Sequence, residues 1–307
     1  MTNVTLKQLR YFEALARHGH FGKAAEASAI SQPALSLQIK ELEEGLGAPL
    51  FERSARQVRL TAFGETLSAR IRDILRSVDE LGDLARTASG RLAGRLRLGV
   101  IPTVAPYLLP GLIGDLSRLY PGLDLHVRET LTARLVQELL AGRLDAAIVA
   151  LPVSEPSFAE VPLFEEPFVL VRPREDDGKP APNLEALRDM RLLLLEEGHC
   201  FRDQALAFCK VNAVVPRELL EGSTLSTLVQ MVGAGIGVTL IPEMAVPVET
   251  RSADVSIARF RKPEPSRTIG MVWRKSSPLS GELDQVAEIA RAASIGQRNS
   301  ARKSSRL

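Results

Sequence analysis

The chain has 307 residues, 45% of them hydrophobic and 25% charged, with a net charge of +2. Such a composition fits a globular protein with room for two or three compact units and excludes an intrinsically disordered chain. Two cysteines cannot build a disulfide framework, and so balanced a charge establishes nucleic-acid binding only if the charges are suitably placed.

The longest apolar run, Leu228 to Ile241, contains Gln230 and three glycines. It is shorter than the ~20 residues that span a bilayer. No signal-peptide-like segment opens the sequence, so a reducing, cytoplasmic location and no membrane partner are expected.

The first ninety residues predict helices in quick succession. Leu6, Leu9, Phe12 and Ala16 form an apolar stripe after Thr5, a candidate N-cap, and His18-Gly19-His20 ends that helix. Phe21 starts a short helix rich in small residues, and Ser28-Ala29-Ile30 makes a tight connection to Ser31, which caps a third helix with Pro33 in its first turn. Two helices joined so tightly suggest helix-turn-helix. On the third helix Leu35, Ile39, Leu42 and Leu46 face inward. Gln32, Pro33, Ser36, Gln38 and Lys40 remain for DNA, and their types suit base edges and phosphates in a major groove.

Leu50 to Leu60 carries Arg53, Arg56 and Arg59 against Glu52 and reads as a wing beside the phosphate backbone. Periodicity also allows a helical domain with a solvated polar face, but the order and spacing of the elements favour double-stranded DNA as partner. Thr61 to Ala88 reads as one long helix with Phe63, Leu67, Ile71, Leu75, Val78, Leu81 and Leu84 or Ala85 at threes and fours, a stripe that pairs with a copy of itself. Ser89 to Gly94 is a candidate hinge.

These residues, from LKQLRYFEALARHGHFGKAAEASAISQPALSLQIKELEEG through LGAPLFERSARQVRLTAFG, resemble the N-terminal winged helix of LysR-type transcriptional regulators. The resemblance implies a DNA-binding regulator, not an enzyme, with a long dimerising helix followed by a sensing domain.

From Arg95 the pattern alternates strand and helix, which predicts a mainly parallel sheet covered by helices. Expected strands are Leu96 to Ile101, Leu125 to Val127 and Ala146 to Val149; expected helices are Ala105 to Leu119 and Thr132 to Ala141. Val161 to Phe164 and Phe168 to Val171 read as two stretches either side of Glu165-Glu166-Pro167, a crossing between subdomains. Farther on, Ser226 to Ala234 reads as a helix and Ile236 to Ile241, Val255 to Phe260 and Thr268 to Trp273 as strands. A last helix starts near Ser280, and the basic tail is expected to be disordered. The fold class is α/β with an N-terminal all-α winged helix-turn-helix, a long linker helix and a two-lobed sensing domain like the periplasmic binding proteins. The boundaries expected are 1–60, 61–94, 95–295 (subdomains 95–165 with 267–295, and 166–266) and a tail of 296–307.

The stretch from Leu192 to Lys210 holds both cysteines. Leu192 to Leu195 is a short apolar strand, Glu196-Glu197-Gly198 a turn, and Cys200 begins a helix. There the helix dipole favours an anion, and His199 and Arg202 flank the thiol, so Cys200 is expected to ionise readily, whereas Cys209 reads as a small buried hydrophobe. On a continuous helix the two thiols would be about 13.5 Å apart along the axis and on opposite faces. A disulfide needs Cα atoms within about 7 Å. Any bond between them therefore requires that helix to come apart.

GHCFRDQALAFC at Gly198 to Cys209, IPTVAPYLLP at Ile101 to Pro110, VPLFEEP at Val161 to Pro167 and KPEPSRTIG at Lys262 to Gly270 narrow the resemblance to the hydrogen-peroxide-sensing branch of that family. The resemblance implies that hydrogen peroxide is the signal, that Cys200 is the reactive thiol and Cys209 its disulfide partner, and that Thr103, His199, Asp203 and Arg267 surround Cys200. It implies no cofactor and no metal. It also implies a homo-oligomer, a dimer of dimers, with RNA polymerase and thiol reductants such as glutaredoxin or thioredoxin as partners. A zinc site lacks the usual ligand spacings. A thiol peroxidase does not account for the winged helix. The strongest alternative is a LysR-type regulator that binds a small molecule in the inter-lobe cleft, with Thr103 and Ser226 as anion-binding hydroxyls.

Overall fold

The computed structural model describes residues 4–53, 58–87, 93–182, 186–187, 190–209, 221–262 and 264–304, and the chain divides into two compact units, Met1–Ala85 and Arg86–Leu307. The first unit contains α1 (Leu6–His18), α2 (Phe21–Ala27), α3 (Gln32–Leu46), the hairpin β1 (Phe51–Arg53) and β2 (Val58–Leu60), and α4 (Ala62–Thr87). Its helix ends follow local chemistry. Thr5 and Gln8 form a capping box, with Gln8 N donating to Thr5 Oγ1 at 3.2 Å and Thr5 N to Gln8 Oε1 at 3.0 Å. Gly19 ends α1 at φ +60°, a conformation that costs glycine nothing. Ser31 Oγ caps α3 through Ala34 N at 3.3 Å.

Phe12, Leu15, Leu35, Ile39, Leu42 and Leu50 fill the core of this unit, and Phe51 of the wing packs on Phe12 with ring centroids 5.1 Å apart. Glu43 of α3 accepts from the N–H groups of Leu50 and Phe51 at 2.8 and 3.1 Å, which ties the wing to the third helix. The long helix differs from the expected free stripe. At ~100° per residue its apolar positions spread over a broad band. One edge, Ile71 and Leu75, is buried in the unit's own core, while Phe63, Ile74 and Leu81 on the other edge are 44%, 46% and 64% exposed. The hinge expected at Ser89 to Gly94 lies largely outside the described residues.

The second unit contains β3 (Gly94–Val100), α5 (Ala105–Leu119), β4 (Leu123–Glu129), α6 (Thr132–Leu140), β5 (Ala146–Leu151) and β6 (Phe158–Pro173). Then come β7 (Leu192–Leu195), α7 (Cys200–Cys209), β8 (Glu221–Gly222), α8 (Leu225–Gly233), β9 (Val238–Pro242), α9 (Val246–Glu249), β10 (Val255–Arg259), β11 (Ser266–Arg274) and α10 (Ser280–Ser304). The strands are ordered β4-β3-β5-β11-β6-β9-β7-β8, with β10 also on β6.

Pairing is evenly mixed, not mainly parallel as expected. β3 with β4 and β5, and β7 with β8 and β9, run parallel, whereas the pairs made by β6 and β11 with β5, β9, β10 and each other are antiparallel. β6 and β11 are the crossing strands, and they join two lobes with separate cores. β6 is one continuous strand, not two stretches. Pro167 lies where its neighbour changes from β11 (Pro167 beside Ser266) to β9 (Phe168 beside Pro242), a place where a strand tolerates the missing N–H.

The tail differs too. α10 continues to Ser304 where disorder was expected from 296. After Gly296 the residues up to Ser304 include no proline, so the sequence there contains no strong helix breaker.

Candidate functional site

In the first unit the DNA-facing candidates lie on α3 opposite its buried stripe. Gln32, Pro33 and Lys40 are exposed, and Ser36 and Gln38 half-buried. Gln38 donates to Glu41 at 2.7 Å, so part of its bonding capacity is already used. Leu37 is 55% exposed on the same helix. The periodicity did not single it out, and an exposed apolar group there suits the methyl group of thymine. The backbone of Arg53 ends β1, and Arg56 lies outside the described residues.

In the second unit, strand-to-helix turns bring three helix starts together. Thr103 follows β3 just before α5, Thr132 is the first residue of α6, and Cys200 is the first residue of α7. All three line one small pocket with His199 and the apolar Ile101, Pro102 and Leu131. Helix N-termini after the carboxyl ends of parallel strands are where an α/β sheet presents a site, and each start favours negative charge. Gly198, at φ +93°, makes the turn into α7 in a conformation other residues adopt only under strain. Thr132 Oγ1 is buried and makes no hydrogen bond among the described residues.

The positive charge facing this pocket comes from β11. Arg267 is 4% exposed; its Nη1 donates to Thr103 Oγ1 at 2.9 Å and its Nη2 to Thr103 O at 3.1 Å. Its guanidinium carbon is 5.1 Å from the centroid of the Phe201 ring, which also packs edge-on against Phe168 at 4.8 Å. Burial pushes the Arg267 pKa down, and the negative forms of Cys200, Glu166 and Tyr107 oppose that shift. A guanidinium nevertheless remains protonated in proteins. Arg267 is therefore a fixed positive charge close enough to Cys200 to feel its charge.

This corrects the expected source of the charge. Burial lowers the pKa of His199, which favours the neutral ring, with Glu196 opposing. Arg202 is held away by Leu195 O, to which its Nη1 donates at 2.9 Å, and by Glu221. Asp203 is exposed in the first turn of α7 and does not line the pocket. Cys200 is a free thiol, and Cys209 ends the same helix.

Sequence reasoning missed Thr132, Leu131, Glu166 and Tyr107. Glu166 is 1% exposed on β6 and accepts from Met244 N at 3.0 Å. A buried charge in a strand calls for an opposite charge nearby, and Arg267 of β11 stands directly beside Glu166 in the register. Tyr107 projects from α5 into the core of the other lobe, and its hydroxyl donates to Glu249 at 2.6 Å. Burial, then Glu249, pushes its pKa far above the ordinary tyrosine range. Tyr107, Glu129, Ser226 and Glu249 line a second cavity of about 250 Å³ that shares Thr103 and His199 with the first.

The chain matches the family model "Bacterial regulatory helix-turn-helix protein, lysR family" over residues 6–65 and "LysR substrate binding domain" over residues 89–294. It is 45% identical over 293 residues to a probable hydrogen peroxide-inducible genes activator of Streptomyces viridosporus, covering 94% of each chain. It is 41% identical over 298 residues to the DNA-binding transcriptional dual regulator OxyR of Escherichia coli, covering 95% of this chain and 97% of that one. Among solved structures it resembles a full-length OxyR variant from Pseudomonas aeruginosa, with a TM-score of 0.76, 39% identity and coverage of 94% and 95%. A hydrogen-peroxide-bound OxyR mutant from Corynebacterium glutamicum aligns with a TM-score of 0.69, 37% identity and coverage of 98% and 96%. The chain belongs to the LysR family of bacterial helix-turn-helix regulators, in the branch that holds the OxyR proteins, and is a DNA-binding regulator rather than an enzyme.

Proposed function

We propose that this regulator senses hydrogen peroxide through Cys200 and reports it by forming an intramolecular disulfide with Cys209. The observation that carries the reading is the pocket itself: a free thiol at a helix start, faced by a buried guanidinium and bordered by two threonine hydroxyls. The Cys200 thiolate attacks one peroxide oxygen. An S–O bond forms, the O–O bond breaks, and the departing hydroxide takes up the proton that the thiol gave and leaves as water. Thr132 Oγ1, with no other partner among the described residues, can hold the peroxide, and neutral His199 can carry the proton. Asp203, at the exposed edge, serves as an accessory acceptor. The Cys209 thiol then displaces the sulfenic hydroxyl as water.

Both cysteines belong to α7, so the second step requires α7 to unwind. Phe201 then leaves its seat between Phe168 and Arg267, and Phe208 its edge contact with Phe260 at 5.3 Å. The exposed edge of α4, with Phe63, Ile74 and Leu81, supports pairing of two copies, so the remodelled sensing domains would reset the spacing of two winged helices on DNA. A dimer of dimers, RNA polymerase as target and reduction by glutaredoxin or thioredoxin complete this reading, which sets the protein in the cytoplasm. Expression of antioxidant genes would be its output.

The 250 Å³ cavity favours one second reading, a small-molecule effector between the lobes. Glu129 and Glu249 make it a poor place for the anion that Thr103 and Ser226 were expected to bind. Peptide mass spectrometry with DNA footprinting separates the two. Cys200→Ser should abolish the change in footprint caused by peroxide while keeping reduced-state binding, and Cys209→Ser should accumulate sulfenic acid and higher oxides at Cys200. A Cys200→Ser protein that still changes its footprint with peroxide would sink the redox reading.

A further inference from the structure

Leu131, the residue before α6, is half-buried on the wall of the Cys200 pocket. Opposite it stands Gly198, and a Cβ built there would be 3.0 Å from Leu131 Cδ1. Non-bonded carbons are at ease at roughly 3.5–4.0 Å, so the gap between the two walls is narrower than one added methyl group needs. Lining the same pocket beside this apolar neck are the polar groups that suit a peroxide, the Thr103 hydroxyl bonded to Arg267 and the buried Thr132 hydroxyl, which has no partner among the described residues. Cys200 is not among the residues that line the neighbouring cavity, where Glu129, Glu249 and the Tyr107 hydroxyl stand beside Pro106, Leu195 and Leu225.

We propose that Leu131, closing against Gly198, is a specificity-determining residue that admits hydrogen peroxide to Cys200 and holds back hydroperoxides carrying a bulky alkyl or aryl group. The proposal rests on Cys200 being the peroxide-reactive thiol. The chemistry is the same for either oxidant: the thiolate takes the terminal oxygen of R–O–OH, the O–O bond breaks, and RO⁻ leaves as the alcohol ROH with the thiol's proton. What differs is whether R passes the neck. Leu131 acts on access and makes no bond to the reacting atoms.

The test compares two oxidants on one protein. In a Cys209→Ser background, where only Cys200 is read, sulfenic acid formed by hydrogen peroxide and by cumene hydroperoxide is trapped with dimedone and followed by mass spectrometry. Removing methyl groups from an apolar wall changes discrimination by about tenfold or more, so Leu131→Ala should raise the ratio of the cumene hydroperoxide rate to the hydrogen peroxide rate by at least that order. Leu131→Val should fall between and carries the comparison if the alanine variant does not fold. An unchanged ratio in the variants overturns the proposal.

If hydrogen peroxide leaves Cys200 of the parent protein untouched, the redox reading itself fails, and size-graded alkylation still judges the neck. Leu131→Ala should speed labelling of Cys200 by pyrene maleimide relative to iodoacetamide; equal acceleration of both reagents would refute a gate at Leu131.

Discussion

Two helices of similar amphipathic design have opposite relations to their surroundings. α3 is fixed at both ends, by Ser31 and by Gly47 at φ +73°, and by Leu35, Ile39 and Leu42, each no more than 1% exposed. Its outward residues can be read by DNA without disturbing anything beneath them. α7 begins at its reactive atom, and among its described side chains only Phe201 and Ala205 are fully inside. Phe201 contributes about 1.5–3 kcal/mol of burial, a sum that one covalent bond can outweigh. A reader is built to keep its shape, and a sensor to lose it at modest cost.

The largest effect should come from the charge that faces the thiol. Arg267→Met removes the guanidinium from Thr103 and Cys200 and leaves buried Glu166 without its balancing charge, so oxidation of Cys200 should slow by about a hundredfold, the usual loss when a preorganised electrostatic donor is removed. Iodoacetamide labelling of Cys200 at a fixed pH should slow in parallel. A rate within about a factor of three of the parent would mean that the helix starts alone supply the stabilisation.

Phe201→Ala sharpens the comparison from the side of α7. Phe201 is buried against Phe168 and Arg267 in the reduced fold and must leave that seat when the disulfide forms, so the variant pays less to oxidise. Losing about 1.5–3 kcal/mol from the reduced form alone lowers the reduction potential by about 30–60 mV. Redox titration against glutathione reads the shift; a higher potential would show that Phe201 is equally well buried in the oxidised state.

For α3, Gln32→Ala and Ser36→Ala should each cost about 1–3 kcal/mol of discrimination between specific and random DNA. Arg53→Ala should instead weaken binding on every sequence and shallow its salt dependence by a slope of about one. Binding titrations at several salt concentrations distinguish them. Equal losses on both DNAs for all three variants would erase the difference between base and phosphate contacts.

Much of this architecture was legible because it is local. Thr5 and Ser31 mark helix starts by side chains that satisfy free N–H groups. The stretch Ala105–Leu119 stops before Pro121, and the apolar run Leu192–Leu195 before a glycine turn fixes where α7 begins. The pocket was less legible because its electrostatics are not local. His199 and Arg202 adjoin Cys200 in sequence and looked like its charge partners, but one is kept neutral by burial and the other is held by Glu221. Arg267 supplies the charge across a crossing strand, reaching Thr103 from a place 164 residues away.

The stripe on α4 was read correctly as apolar, but periodicity could not reveal that Ile71 and Leu75 spend their burial inside their own unit. Nor could it reveal that β6 runs unbroken through Pro167, since only the exchange of β11 for β9 beside it makes that proline harmless. Each of the four sequence blocks that narrowed the resemblance contributes one residue to a single cluster, with Thr103, Glu166 and Phe201 around Arg267.

If Cys200 and Cys209 join, α7 must come apart while α3 stays as it is. Hydrogen exchange on the reduced protein and on its disulfide form measures both helices in one experiment. The amides of Phe201 to Cys209 should lose their protection in the disulfide form, and those of Leu35 to Leu46 should exchange alike in both; undiminished protection across α7 in the disulfide form would refute the unwinding.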